Sequence, residues 1–259
     1  MLATIVRRLL QTIVVMLVMS ALVFAGIYMV GDPVSMLASP EATEAQRAAI
    51  RASLGLDLPL WRQYLIFMGQ AVRGDFGNSF LTGEPAMHLI LERMPATVEL
   101  ACVAMLLSVL IGVPLGILAG LKPKAPGSRA IMTGSVLGFS LPNFWVGLML
   151  IMVFAVMLGW VPAGGRGQTV SIGSLQLSVL TLNGWLSLAL PAATIAFAKC
   201  AMIIRVTRAA TREALPMDYI KFARAKGLSE KRVLGVHLLK NILIPVVTVA
   251  GLELSLIHI

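Results

Sequence analysis

The chain has 259 residues, of which 58% are hydrophobic and only 13% are charged, and its mean hydropathy is +0.89. Soluble domains average about 45–50% apolar and about 25% charged residues, so this composition excludes a soluble globule. The net charge of +9 comes from 21 basic and 12 acidic residues. Proteins that bind nucleic acid carry their positive charge on a polar, soluble face, and this composition leaves almost no such face. We therefore attribute the charge to membrane topology and expect membrane lipid, and no nucleic acid, as a partner.

Long uncharged runs divide the chain into predicted membrane spans, since about 20 apolar residues cross about 30 Å of hydrocarbon. Four runs are uninterrupted and a fifth contains Lys240 and Glu253; they are residues 9–31, 100–121, 130–165, 167–198 and 233–257. The first run lacks a small-residue cleavage site, so we interpret it as a retained helix rather than a signal peptide. Lys199, which follows the fourth run, is expected to snorkel toward the inner surface.

Basic residues are distributed unevenly between these runs, and lysine and arginine near span ends mark the cytoplasmic side. Residues 205–240 hold nine basic and three acidic residues, whereas residues 31–99 hold eight acidic and five basic residues. We therefore expect a cytoplasmic amino terminus and cytoplasmic segments at 122–129 and 205–240. The predicted organisation is a cytoplasmic terminus with span one at 1–30, an outer subdomain at 31–99 and a transmembrane core at 100–259.

Two short helices are predicted in the outer segment. Glu41 to Leu54 is rich in alanine, glutamate and arginine and ends before Gly55. Trp61 to Val72 is amphipathic and carries Trp61 and Tyr64 near its start, which suits a helix lying at the membrane interface.

Proline and glycine interrupt two of the predicted spans. Pro114 lies between Gly112 and Gly116 in span two, and Pro142 lies in span three. Such breaks either free backbone carbonyls to line a substrate path or kink a packed helix, and both interpretations stay open. Polar side chains beside the second break are expected to face the bundle interior. The candidate residues of a translocation path are Ser140, Pro142 and Asn143.

Motifs of a phosphate-binding loop, a zinc protease, a redox dithiol or a serine hydrolase do not occur in the sequence. We therefore expect no enzyme activity and no catalytic, cofactor-binding or metal-binding residue in this chain. A secondary carrier would need charges inside its spans to couple ions, and a sensor or scaffold would need a larger soluble domain. Apart from Lys199 and Glu253 the spans lack such charges, so both alternatives are disfavoured.

The cytoplasmic segment before the last span predicts a helix–turn–helix. Pro216 breaks the first helix, Asp218 is placed to cap the next one, and Gly227 ends it. Helical periodicity puts Ile220 and Ala223, together with Gly227, on one side. Small residues beside cations suit a helix that enters a groove on a partner, whereas a solvated loop is the alternative.

This segment resembles the coupling motif of a known family. Asp218 to Leu228 reads D-Y-I-K-F-A-R-A-K-G-L and is similar to the cytoplasmic motif in permease subunits of bacterial ABC importers of the dipeptide, oligopeptide and nickel type. Other segments that resemble the first-permease subfamily are Gly31–Pro33, Leu54–Pro59, Arg73–Ser79, Pro95–Leu100, Ser140–Trp145 and Leu158–Pro162. The resemblance implies an all-α, polytopic type I transmembrane fold of ABC importers, with five spans present of an expected six.

Two departures from the family pattern matter. The wider motif reads Glu-Ala-Ala-x-x-x-Gly, but this chain has Lys221 and Phe222 at the first two positions, so only Ala223 and Gly227 are carried over as motif positions. Family members continue into a sixth span, whereas residues 254–259 resemble a translated sequencing adaptor, so we expect a truncated sequence. The resemblance implies coupling to an ATPase through Asp218, Tyr219, Ala223, Arg224, Ala225, Lys226, Gly227 and Leu228.

The resemblance implies that the chain is the translocation-pore permease of an ATP-driven importer in the bacterial inner membrane. The expected partners are a second permease subunit, two ATPase subunits and a periplasmic solute-binding protein. ATP and Mg²⁺ would be used by the ATPase subunits, and no cofactor would be bound by this chain. Peptides or a related small solute are expected, and nickel or another non-peptide solute is the alternative; the sequence alone does not separate a dipeptide, an oligopeptide, glutathione and a nickel complex.

Overall fold

The structure, a computed structural model, describes residues 2–30, 34, 38, 42–53, 55–79, 82–173 and 175–256. The chain forms two compact units, Met1–Glu92 and Arg93–Ile259. Predicted features at Gly31–Pro33, Glu41, Leu54 and residues 257–259 lie outside the described residues.

The first unit contains helices α1 (Leu2–Val30), α2 (Glu44–Ser53) and α3 (Leu60–Val72). Helix α3 packs against α1 through Tyr64, whose hydroxyl lies 2.8 Å from the Ser20 hydroxyl and donates to the Leu17 carbonyl at 3.1 Å. Tyr64 thus anchors α3 to α1, a packing role that the amphipathic pattern alone did not indicate.

Helix α2 begins three residues later than the sequence interpretation placed it. Thr43 and Gln46 form a capping box: the Gln46 side-chain oxygen accepts from the Thr43 amide at 2.8 Å, and the Gln46 amide donates to the Thr43 hydroxyl at 3.4 Å. These reciprocal bonds satisfy amides that would otherwise be unpaired at the helix start.

Helix α4 (Ala86–Leu121) runs without a break through both of its prolines. Helix α5 (Pro126–Ser140) is followed by α6 (Asn143–Leu150), which continues as a π-helix at Ile151–Met157. The pair is bent by 101° at residues 141–142. The predicted third span is therefore two helices joined at a sharp corner.

A β-hairpin precedes the next helix. Strands β1 (Val170–Ile172) and β2 (Leu175–Leu177) pair antiparallel, and α7 then runs from Leu182 to Ala214. Thr181 caps α7 by accepting a bond from the Gly184 amide at 2.9 Å. The prediction of a span over 167–198 is thus wrong at both ends, because a lack of charge marks an apolar stretch and not where a helix begins or stops.

The remaining elements are α8 (Asp218–Ala225), the single turn α9 (Glu230–Arg232), a π-helix at Val233–Leu238, and α10 (Leu239–Leu256). Across the described residues, α1, α4, α7 and the run from α9 through α10 are long and apolar enough to cross a membrane. The bent α5–α6 pair makes a fifth if it counts as one span. The prediction of a helical polytopic membrane protein is confirmed, with four or five spans in the described part of the chain.

The core of the second unit lies where α4 crosses α7, on a row of glycines four residues apart. A Cβ atom at Gly116 would stand 2.5 Å from Thr207 Cβ and 2.9 Å from the Ile204 carbonyl oxygen, so glycine is required for this close approach. The row as a whole places Gly112, Gly116 and Gly120 against Ile203, Thr207 and Thr211. The glycines beside Pro114 therefore pack helices together, and they do not open a break in span two.

An ion pair joins the middle of α7 to α10. The Lys199 ammonium contacts the Glu253 carboxylate, and the two side chains are 20% and 17% exposed. The expectation that Lys199 snorkels is wrong, because a carboxylate on the neighbouring helix neutralises the ammonium where it lies.

Candidate functional site

The coupling segment, residues 205–240, leaves α7, turns into α8 and returns toward α10. Helix α8 ends in a Schellman motif: the Leu228 amide donates to the Ala223 carbonyl at 3.3 Å, and the Gly227 amide donates to the Arg224 carbonyl at 2.9 Å. Gly227 has φ +76°, a conformation that favours glycine, so the prediction that Gly227 ends this helix is confirmed.

One face of α8 is buried inside the chain itself. Ile220 and Ala223 are 0% and 3% exposed and pack in a cluster with Val233, Leu238 and residues from the ends of α7 and α10. Periodicity predicted the shared face of Ile220 and Ala223 correctly. However, this burial corrects the expectation that the small Ala223 side chain meets a partner, because its neighbours belong to its own chain.

The opposite face of α8 is open and combines aromatic with cationic side chains. Tyr219 and Phe222 are 37% and 61% exposed. The Lys226 ammonium lies 4.5 Å from the centre of the Phe222 ring, a cation–π contact. Of the other predicted coupling residues, Ala225 and Gly227 are exposed, whereas Leu228 is half-buried against the cluster.

Phe222 is not among the predicted coupling residues, because it departs from the wider motif, which has alanine at this position. The sequence does contain a feature that could have identified Phe222: it is an aromatic residue on the polar side of an amphipathic helix. Tyr219 and Phe222 together give this face two exposed aromatic side chains among charges, and aromatic side chains are enriched in contact surfaces between proteins.

Charged groups connect α8 to the following turn. Arg224 binds Glu230 with two hydrogen bonds, from Nε at 2.8 Å and from a terminal nitrogen at 3.2 Å. The hydrogen bond to Glu230 raises the pKa of Arg224, so the guanidinium stays charged. Asp218 does not cap α8 as predicted: Met217 occupies the cap position, and the carboxylate instead pairs with Lys221 at 3.0 Å.

The three candidate path residues lie together at the corner between α5 and α6. Ser140, Pro142 and Asn143 are all exposed on the surface of the chain, and the Ser140 hydroxyl donates to the Val136 carbonyl at 2.9 Å. They were expected to face the bundle interior. Within this single chain they lie on its surface instead.

A cavity of about 360 Å³ lies between α6 and α7, two turns beyond this corner. Ser187 and Thr194 contribute hydroxyl groups to its lining, and Pro191 lies between them. Pro191 has no amide hydrogen, which leaves the Ser187 carbonyl without its usual helical donor.

A buried carboxylate holds the β-hairpin against α4. Glu99, 7% exposed, accepts from the Ser178 amide at 2.7 Å and lies 3.7 Å from the Arg166 guanidinium. Arg166 also donates to the Ser178 hydroxyl at 3.2 Å. The sequence interpretation assigned Glu99 no role, because its partners lie more than 60 residues away along the chain.

Comparison with known proteins shows which family the sequence matches. Residues 112–258 match the family described as "Binding-protein-dependent transport system inner membrane component", and residues 1–101 match the amino-terminal domain associated with such transport systems. These matches cover nearly all of the chain.

Individual relatives align over nearly the whole chain. The di/tripeptide transport system permease protein of Pseudomonas aeruginosa is 39% identical over 98% of this chain and 80% of its own length. An oligopeptide transport system permease protein of Bacillus subtilis is 38% identical over 97% of this chain and 78% of its own length. The glutathione transport system permease protein of Escherichia coli is 37% identical over 98% of this chain and 78% of its own length.

Proposed function

The chain belongs to the family of binding-protein-dependent transport system inner membrane components, and on this premise we propose that it conducts small peptides into the bacterial cell. It is a multi-pass membrane permease, the pore subunit of an ABC importer rather than an enzyme. Membership also implies that it works with ATPase and solute-binding subunits.

Small peptides are the solute class that the relatives have in common. Their names assign di/tripeptides, oligopeptides and glutathione, itself a short peptide, to permeases that are 37–39% identical to this chain. We propose the same class for this importer.

The observation that carries the coupling role is the attachment of α8. Its buried face is fixed to the ends of α7 and α10 by fully buried side chains, including Ile220 and Leu238, while Tyr219 and Phe222 point outward. We propose that this outer face docks on an ATPase subunit. A solvated loop, the alternative from composition, would not need a rigid helix that presents aromatic side chains.

The complete importer in this proposal contains a second permease, two ATPase subunits and an external binding protein. ATP and Mg²⁺ are bound by the ATPase subunits and not by this chain. The exposed corner at Ser140, Pro142 and Asn143 supports a path shared with the second permease, because polar groups at the surface of one membrane subunit are satisfied when another subunit covers them.

An uptake assay tests the transport function. The chain with its partner subunits is reconstituted in liposomes, and import of radiolabelled trialanine is measured with and without ATP. We expect ATP-dependent accumulation only with the full set, and neither ATP hydrolysis nor accumulation with this chain alone. Nickel uptake without trialanine uptake would refute the peptide class, and ATPase activity of the chain free of other subunits would refute the division of labour.

Labelling with an impermeant thiol reagent tests the proposed orientation, in which the amino terminus and the coupling segment are cytoplasmic. Single cysteines are placed at Glu84 and Ser229, both exposed, in a background without Cys102 and Cys200. On intact cells we expect labelling at position 84 and none at position 229. The reverse pattern would overturn the topology.

A further inference from the structure

The Lys199–Glu253 ion pair lies inside the apolar part of the protein. On α7 the next charge toward the coupling segment is Arg205, six residues or about 9 Å away, and on α10 it is Lys240, thirteen residues or about 20 Å away. Residues 182–198 carry no charge in the other direction. Both groups therefore stand at membrane depth, where ionisable side chains are costly and indicate a function.

The contact surface between α7 and α10 is otherwise apolar. Near the coupling segment Ala214 of α7 and Ile242 of α10 share a buried cluster, and farther along Ile203 packs with Val246 and with Val113 of α4. Apolar side chains interdigitate, but their attraction is non-directional, so they distinguish alignments one helical turn apart less sharply than a charge pair does. The ion pair is the directional contact on this surface among the described residues.

Buried ion pairs contribute little net stability but are well suited to fixing a register, because every other alignment leaves two uncompensated charges. Sliding α10 by one turn would move Glu253 about 5.4 Å along α7 and break the pair. The α7–α10 surface begins at the cluster that holds Ile220 and Ala223 of α8. A fixed register would therefore make a displacement of α8 move both helices together.

We propose that Lys199 and Glu253 are positioning residues that lock the register of α10 on α7, so that movement of the coupling segment reaches the membrane core. The inference rests on the proposed function, since it assigns these residues to the transmission of ATP-driven motion. It makes a claim about coupling that is separate from folding.

The test uses the complete importer in liposomes and measures trialanine imported per ATP hydrolysed, beside the yield of assembled complex. Four variants are compared: Lys199→Gln, Glu253→Gln, the exchange Lys199→Glu with Glu253→Lys, and the apolar pair Lys199→Met with Glu253→Leu. Lys124→Gln, which neutralises an exposed lysine between α4 and α5, is the matched control.

Each single variant is expected to lower the import ratio by about 2- to 30-fold, the range in which side chains on a coupling route act. The exchange is expected to restore the ratio, because it recreates the pair. Each single variant leaves one uncompensated charge and is therefore also expected to lower the yield of assembled complex, whereas the apolar pair removes both charges and is expected to keep the wild-type yield without the wild-type ratio.

If the apolar pair imports as much trialanine per ATP as the wild type, Lys199 and Glu253 are only a packing contact. If the charge exchange does not restore this ratio, pairing of the two charges is not required for coupling. Either result would overturn the inference, provided that the unmodified importer accumulates trialanine. Failure of that unmodified importer would instead overturn the proposed function.

Discussion

Replacing Phe222 with alanine is expected to weaken the docking of an ATPase subunit more than any other single truncation on α8. A buried phenylalanine removes about 150–250 Å² from water. The side chain is 61% exposed in the isolated chain, so a partner that covers it removes about 90–150 Å² more, with a ceiling of about 2–4 kcal/mol. Ordering costs on association reduce this gain, and we expect at least about a tenfold loss of affinity, or about 1.4 kcal/mol.

Affinity is measured by titrating the ATPase subunit onto the permease in lipid nanodiscs with biolayer interferometry. The control is Phe76→Ala, the same truncation at a 42% exposed phenylalanine in the segment assigned to the outer side. It should leave ATPase affinity unchanged. Wild-type affinity of the Phe222→Ala permease, at equal membrane insertion, would refute the assignment of this face to docking.

Three further predictions concern packing and backbone geometry. Ala223→Trp should lower the melting temperature of the complex and disorder α8, because the site is 3% exposed, whereas Ala225→Trp on the open face should leave folding intact by the same assay. Gly116→Ala should destabilise by about 1–3 kcal/mol in detergent unfolding, because the new Cβ overlaps Thr207, while Gly134→Ala, which meets nothing within 4 Å, should not. Gly227→Val should add about 1–3 kcal/mol of backbone strain and therefore reduce ATPase binding in a pull-down assay. Gly227→Asn should retain binding in the same assay, because asparagine tolerates φ near +76°.

Charge gaps in the sequence located the apolar helices but not their ends. The reason is that hydropathy reports the depth at which a residue lies, while helix ends depend on local bonds such as the one from the Gly184 amide to the Thr181 hydroxyl at the start of α7. The close packing of α4 on α7 was readable in principle, because glycines at 112, 116 and 120 have the four-residue spacing that lets two backbones approach.

The candidate site was predicted in position but not in orientation. Periodicity showed that Ile220 and Ala223 share a face, yet a face with small apolar residues suits the protein's own core as well as a partner's groove. Whether this face packs inside the chain or on a partner depends on Val233 and Leu238, which pack against α8 and follow the turn at Gly227 in the sequence. Pairs such as Glu99 with Arg166 were out of reach for the same reason, since each depends on elements distant in the chain.

The packing of the second unit joins α4, α7, α8 and α10 more closely to one another than to the corner between α5 and α6. Helices α4 and α7 approach closely along three glycines, and the buried face of α8 packs against the ends of α7 and α10. Because close-packed contacts transmit strain, a displacement of α8 is passed on to these helices. The α5–α6 pair meets α7 through side chains: the Phe197 ring lies beside Gly138, Thr194 lies beside Gly147, and the Arg205 guanidinium lies 4.9 Å from the centre of the Phe139 ring. At the 101° bend the Leu141 amide bonds back to α5 at the Leu137 carbonyl, and the Pro142 carbonyl accepts from the Trp145 amide of α6, so a change of angle between Leu141 and Pro142 leaves both bonds in place. ATP-driven movement delivered through α8 would therefore displace α4, α7 and α10 as one body, and the opening of a path would occur where that body meets the corner.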